Sequence, residues 1–299
     1  MGQFLSALLS GLSTGVPLFL IASGLTLIFG VMGILNFAHG GFFMLGAFVP
    51  VSAAGWFGGG SGGWTLFGAV VVAAVAIAAV AVVCDLVVFR RLQKREEIIG
   101  LLGTFALLLL LVGVAEQVWG VTPRSLTMPT ALSKQIALGP ASITTYDVML
   151  IAIGLLVAVG LWFLLRRTDF GRKARAVAFD RSMAAALGIK ASLVGTGVVA
   201  IGGLLAGLAG GLVAPSVSVD AGLSLSFIVP CFAIVLIGGA GSISGALVAA
   251  IILGVAQSLV VNYAPSFFGY ATYVVIGVLL LLRAWIRNLR PAEEREQVA

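Results

Sequence analysis

Asn36-Phe-Ala-His-Gly-Gly41 carries the only histidine of the chain, set between two long apolar runs. Asn36 can cap a helix starting at Phe37, its side-chain oxygen taking an otherwise orphaned backbone N–H. His39 and Gly40 then fall in the first turn. A polar group inside an apolar bundle either lines a solute path or donates to a carbonyl in the protein interior; the residues leave both readings open. One histidine with no neighbouring carboxylate or cysteine is not a metal site. A second break, Gly238-Gly-Ala-Gly-Ser-Ile-Ser-Gly245, has the same plan of apolar half, Gly-rich interruption and apolar half. Gly239, Gly241 and Ser242 are its candidate path residues, because paired breaks in the halves of a transporter often mark the pathway. Small residues there equally permit close helix packing. It is no phosphate loop: a Walker lysine is followed by Ser or Thr, whereas the four lysines here precede Arg95, Gln135, Ala174 and Ala191.

The elements that hold these groups follow from composition. The 299 residues are 61% hydrophobic and 9% charged, with a mean hydropathy of +1.18. Soluble domains carry about 25% charged residues, so much of this surface must face lipid. Continuous apolar runs of about 20 residues indicate helices, since a barrel would show alternating segments of about ten. The net charge of +6 implies no nucleic acid, because short basic cytoplasmic loops produce it. Cys84 and Cys231 lie in apolar runs and are expected to pack rather than pair. The first charged residue is Asp85; without a basic leading stretch no cleavable signal peptide is expected.

The chain is therefore expected to be an all-α, polytopic helical membrane protein, a single domain over 1–299 with about eight to nine segments and Gly-rich helix breaks. The segments are 4–29, 42–57, 66–89, 98–119, 146–165, 191–213, the short 227–237, 246–261 and 268–285. The glycine run 58–63 reads as a flexible turn flanked by Trp56 and Trp64. Basic clusters at 90–95, 166–190 and 283–295 share the cytoplasmic side if the segments alternate. That places the C-terminus inside, the N-terminus outside, and the Pro-rich stretch of about 120–145 as the main outer loop. No carboxylate lies deep in a segment: Asp85 and Glu116 are near ends, and Asp147 and Asp220 are in or beside outer loops.

Residues 166–190 hold seven of the seventeen Lys and Arg against two acids. Ala174, Val177, Ala178, Ala185 and Ile189 recur at three- and four-residue spacing, which predicts one apolar stripe on a short helix. Arg172, Arg175 and Arg181 fall mostly off it, and Gly188 permits the tight turn that follows. Such a helix can seat in a partner's groove or lie on anionic headgroups.

Asn36-Phe-Ala-His-Gly, then Gly171-Arg-Lys-Ala-Arg-Ala-Val-Ala-Phe-Asp180 with Ala184 and Gly188-Ile189, then Gly238-Gly-Ala-Gly-Ser-Ile-Ser-Gly-Ala246, together resemble the permease subunits of branched-chain amino-acid ABC importers, the LivH-type family. The resemblance covers essentially the whole chain. It implies a multi-pass subunit of the bacterial inner (plasma) membrane that is not an enzyme and binds no cofactor itself. ATP and Mg would be used by two partner ABC ATPase subunits docked on a coupling loop at about 166–190. Gly171, Arg172, Arg175, Ala178, Asp180, Ala184, Ala185 and Gly188 would belong to that loop, with Ala174, Ala178 and Ala185 on the contact face. The further partners implied are a second homologous permease, as a heterodimer, an extracytoplasmic solute-binding protein, and membrane lipid. Asn36 to His39 would lie near the translocation path. Related permeases serve urea, short amides and other small polar solutes. The rivals from other classes are a stand-alone channel and a secondary transporter coupled through His39.

Overall fold

The computed structural model describes residues 2–56, 63–93, 95–138 and 141–288. The expected glycine turn lies almost wholly outside them, as does the end of the last basic cluster. Helices dominate because a chain in hydrocarbon must satisfy its own backbone. The order is α1 (Gly2–Met32), α2 (Ala38–Trp56), α3 (Gly63–Cys84), a π-helical turn (Asp85–Phe89), α4 (Arg90–Leu92), α5 (Glu97–Trp119), β1 (Gln135–Leu138), β2 (Ala141–Thr144), α6 (Thr145–Arg167), α7 (Asp169–Phe179), α8 (Arg181–Ala186), α9 (Ala191–Val213), α10 (Leu223–Gly238), α11 (Ile243–Tyr263) and α12 (Phe268–Asn288). Among the described residues, 7 helical stretches are long and apolar enough to cross a membrane, and Leu223–Gly238 and Thr272–Arg283 are shorter apolar helices.

The core is built on α1 and α9. α1 lies against α9, α10 and α11, while α2 and α3 pack on the other side of α9. Backbones approach closely at small residues, the packing device open to helices in lipid. A Cβ on Gly24 of α1 would stand 3.0 Å from the Gly202 carbonyl oxygen of α9, and one on Gly46 of α2 would stand 2.7 Å from the Gly207 Cα. Large rings fill the spaces between these contacts. Phe43 meets Phe227 at 4.5 Å and Phe37 meets Phe232 at 4.7 Å between centroids, and Phe48 stacks on Trp119 at 4.8 Å. Cys84 and Cys231 are buried and unbridged. α5 and α6 are peripheral, with Leu102, Leu109, Leu155, Leu156 and Phe163 exposed.

The two ends of the bundle differ. At one end the 120–144 stretch contains an antiparallel hairpin, with Gln135 opposite Thr144, where sequence alone suggests only an irregular loop. Arg124 bridges to Val219, and the Tyr146 hydroxyl donates to the Leu212 carbonyl. At the other end sit both Gly-rich breaks, the π-helical turn and the α7–α8 pair. This end also holds the described basic residues around 90–95 and 166–190. Arg181 joins them by donating to Gln93 Oε1 at 2.8 Å.

Candidate functional site

The first break runs from Gly33, held at φ +69°, to the start of α2 at Ala38. Asn36 is fully buried, but neither its Nδ2 nor its Oδ1 has a hydrogen-bond partner among the described residues. The expected cap is therefore not formed. Thr104 of α5 serves the segment instead: its hydroxyl donates to the Leu35 carbonyl at 2.9 Å and accepts from the Phe37 N–H at 3.3 Å. A buried unpaired amide group costs about 1–3 kcal/mol, so Asn36 is an unrelieved polar spot in the core, as is the Nδ1 of His39, likewise unpartnered among the described residues. His39, also fully buried, places Nε2 3.0 Å from the Ile21 carbonyl oxygen. Gly40 packs where any side chain would overlap the Ser224 carbonyl of α10.

The second break is a turn between α10 and α11. Gly239 and Gly241 have φ of +93° and +74°, a region costly for a residue with a Cβ. The Ser242 hydroxyl caps α11, accepting from the Gly245 N–H at 3.1 Å. The two breaks converge on one stretch of α1. His39 reaches Ile21, Thr26 donates to the Gly239 carbonyl at 3.3 Å, and a Cβ on Gly30 would stand 2.6 Å from the Gly241 Cα. His39, Gly239 and Gly241 thus flank α1 between residues 21 and 30.

The segment expected to be one helix is two. Thr168 caps α7 by accepting from the Gly171 N–H at 3.2 Å. Asp180 ends α7 and caps α8, accepting from the Ser182 and Met183 N–H groups at 2.8 and 2.9 Å. The Met183 N–H, first, and the Ser182 hydroxyl hold the Asp180 carboxyl below its ordinary value. Because the helix breaks there, the single apolar stripe is not formed. Ala174, Val177 and Ala184 turn inward and are buried with Val194 of α9, against Val31 of α1 and Ile189. Gly171 is buried against the last turn of α6 around Leu165. Ala178, Ala185 and Gly188 are exposed, and beside them stand Phe179 at 95%, Leu187 at 74% and Met183 at 59% exposure. The expected contact face through Ala174 is thereby corrected: Ala174 faces its own bundle, and the free apolar surface is Phe179, Met183 and Leu187. Arg172 pairs with Asp169, and Arg175 donates to the Leu165 carbonyl.

Asp85 is fully buried at the head of the π-helical turn. The Thr196 hydroxyl of α9 lies 2.6 Å from its Oδ2, Arg90 donates to the same hydroxyl at 2.8 Å, and the Arg90 Nε is 3.4 Å from Oδ2. This clamp ties the end of α3 to the first turns of α9, close to α8. A cavity of about 330 Å³ opens at the opposite end, between α1, α6, α9, α10, α11 and α12. Sequence reasoning misses Thr104, Thr196 and this cavity. The signal for the first two is a lone Thr in an apolar run; the cavity draws single polar residues from several helices and has no local signature.

Residues 7–284 match the family described as the permease component of the branched-chain amino acid transport system. The high-affinity branched-chain amino acid transport system permease protein LivH of Escherichia coli K12 is 29% identical over 298 residues, 93% of each chain. The corresponding protein BraD of Pseudomonas aeruginosa is 27% identical over 297 residues, 94% of this chain and 93% of its own. A probable LivH of Methanocaldococcus jannaschii is 28% identical over 286 residues, 91% of this chain and 85% of its own. No solved structure matches.

Proposed function

The chain belongs to the permease-component family of branched-chain amino acid transport systems, and on that premise we propose that it is the membrane-spanning subunit of an ATP-driven importer of leucine, isoleucine and valine. It works by alternating access beside a second, similar permease. Two partner ATPases hydrolyse the ATP. A solute-binding protein docks at the end bearing the hairpin. The protein sits in the bacterial plasma membrane with its C-terminus inside and N-terminus outside, because the basic residues gather at the α7–α8 end.

The observation that carries this reading is the α7–α8 pair. It is seated on its own bundle by Ala174, Val177 and Ala184, yet it presents Phe179, Met183 and Leu187 bare. A rigidly anchored apolar patch beside arginines suits a protein partner's groove. A push there reaches Val31 of α1 and Val194 of α9 directly, and α3 through the Thr196 clamp. Because both breaks bear on α1, its displacement moves Asn36, His39 and the 239–242 turn together. These residues are the proposed inner part of the path, and the unpaired Asn36 amide is what supports that role.

The test replaces Phe179 or Leu187 with Glu and measures co-purification of the ATPase subunits and leucine uptake in proteoliposomes. Both should fall at least tenfold. Wild-type association and uptake in both variants would reject the docking surface. Rapid leucine flux through the chain without ATPases would replace the pump with a channel.

A further inference from the structure

The cavity opposite the α7–α8 end has a hydrogen-bonding character that follows from how its hydroxyls are already engaged. Ser13 and Thr14 of α1 both donate to the Ser10 carbonyl, at 2.9 and 2.8 Å, and Ser226 of α10 donates to the Gly222 carbonyl at 3.0 Å. A hydroxyl has one proton. With that proton directed back along the helix, each of these three oxygens offers only acceptor lone pairs to the cavity. Asp147 of α6 lines the same space. Its Oδ2 accepts from the Thr144 hydroxyl at 2.6 Å, and it forms no ion pair among the described residues, where the pairs are Arg90–Asp85 and Arg172–Asp169. Among the described residues that line the cavity there is no Lys or Arg. The Gln257 amide donates to the Thr272 hydroxyl at 2.9 Å, which leaves the second Gln257 N–H and the Thr272 O–H as the side-chain donors of that pair.

Leu18, Leu150, Val213, Phe227 and Pro230 supply apolar walls, and the Ser216 hydroxyl stands among them. The space is thus anionic and acceptor-rich around Asp147 and mostly apolar elsewhere, with Ser216, Gln257 and Thr272 as its other polar residues. Its volume falls within the range of roughly 300–1,000 Å³ of small-molecule sites. An ammonium group supplies three donors and no acceptor, and it is the group that complements a carboxylate surrounded by lone pairs.

We propose that this cavity is a solute subsite in which Asp147 takes a primary ammonium group, with the Ser13, Thr14 and Ser226 oxygens around it and the solute's aliphatic chain on Leu150, Val213 and Phe227. The site selects aliphatic amines and amino acids over neutral amides and urea. The inference rests on the permease reading and refines it: Asp147 is a specificity residue, distinct from the inner path around Asn36.

The assembled complex with its ATPases, held in nanodiscs without binding protein, is titrated with 3-methylbutylamine and with 4-methylpentanamide. These share an aliphatic skeleton and differ in charge. The amine should bind at least tenfold tighter than the amide, and Asp147→Asn, which keeps an acceptor for Thr144, should erase the difference. Asp147→Glu should restore it. Equal binding of the two probes to the wild type, or a preference that survives Asp147→Asn, overturns the inference. If Asp147→Asn does not assemble, Ser226→Leu fills the cavity from an exposed position and should abolish amine binding; undiminished binding overturns the inference. Leucine uptake by the wild-type complex with loaded binding protein tests the permease reading separately, so its failure is told apart from a missing amine preference.

Discussion

α6 and α9 are both 23 residues long, and both qualify as membrane spans. Over its most apolar 18 residues α6 is the more hydrophobic, yet 17% of that window is buried in the protein against 61% for α9. Hydrophobicity therefore does not decide which helix the protein surrounds. Side-chain volume does. α9 carries Gly202, Gly203, Gly207 and Gly210 where α1, α2 and α3 come within backbone contact. α6 carries Leu155, Leu156, Val159, Trp162 and Phe163, all exposed. In water the apolar helix would be the buried one; in lipid apolar surface costs nothing to leave outside, and close packing supplies the association.

The contrast can be broken at its strongest point by Gly210→Val. Any side chain there overlaps the Phe43 carbonyl, so α2 and α9 must part; overpacking costs about 1–3 kcal/mol or more. Thermal unfolding of the purified protein should show a large drop in Tm or no folded protein. Thr196→Val on the same helix removes the hydroxyl shared by Asp85 and Arg90. Hydrogen bonds to charged groups are worth about 1.5–3 kcal/mol, and the loss should appear as a smaller fall in Tm. Between the two helices compared, Asp180→Ala removes the α8 cap, and amide exchange at residues 181–186 should speed up while α6 and α9 stay protected. The Asp180 carboxyl is held below its ordinary value. Its contribution to α8 is therefore present above the unfolded pKa and fades as pH falls through the lower folded one. Gly160→Leu on α6 is expected to do least, because nothing lies within 4 Å of the added Cβ; exposed substitutions usually stay within about 0.5 kcal/mol. A large loss of complex assembly from Gly160→Leu would show that this face of α6 meets a protein partner rather than lipid.

Much of this plan is legible in the sequence, because the elements are set by runs long enough to count. The segment at 98–119 becomes α5 over Glu97–Trp119, and the one at 191–213 becomes α9. The Gly-rich interruptions fall where the helices stop. The hairpin at 135–144 is hidden because Pro140 falls within it and strand alternation spans only four residues a side. The break at Asp180 was hidden because apolar spacing continues across it, and only the cap geometry divides the segment. Asp85 looks like a polar residue near a helix end; what buries it is Thr196, over a hundred residues away. Asp147 reads as a loop-side acid, and its place in a cavity depends on where five other helices arrive.

The π-helical turn at Asp85–Phe89 has a consequence for insertions and deletions. Such a turn is one residue more than an α-helix needs over the same rise. The extra residue is absorbed inside the turn, so α3 keeps one angular phase on both sides of it: Ala73 and Ala74 before it face Gly207, and Arg90 after it reaches Thr196. Removing a single residue between Leu86 and Val88 would restore a continuous α-helix with Arg90 and the buried Phe89 still in register. This one turn is thus the place where α3 can change length by a residue while the clamp and the membrane packing stay aligned.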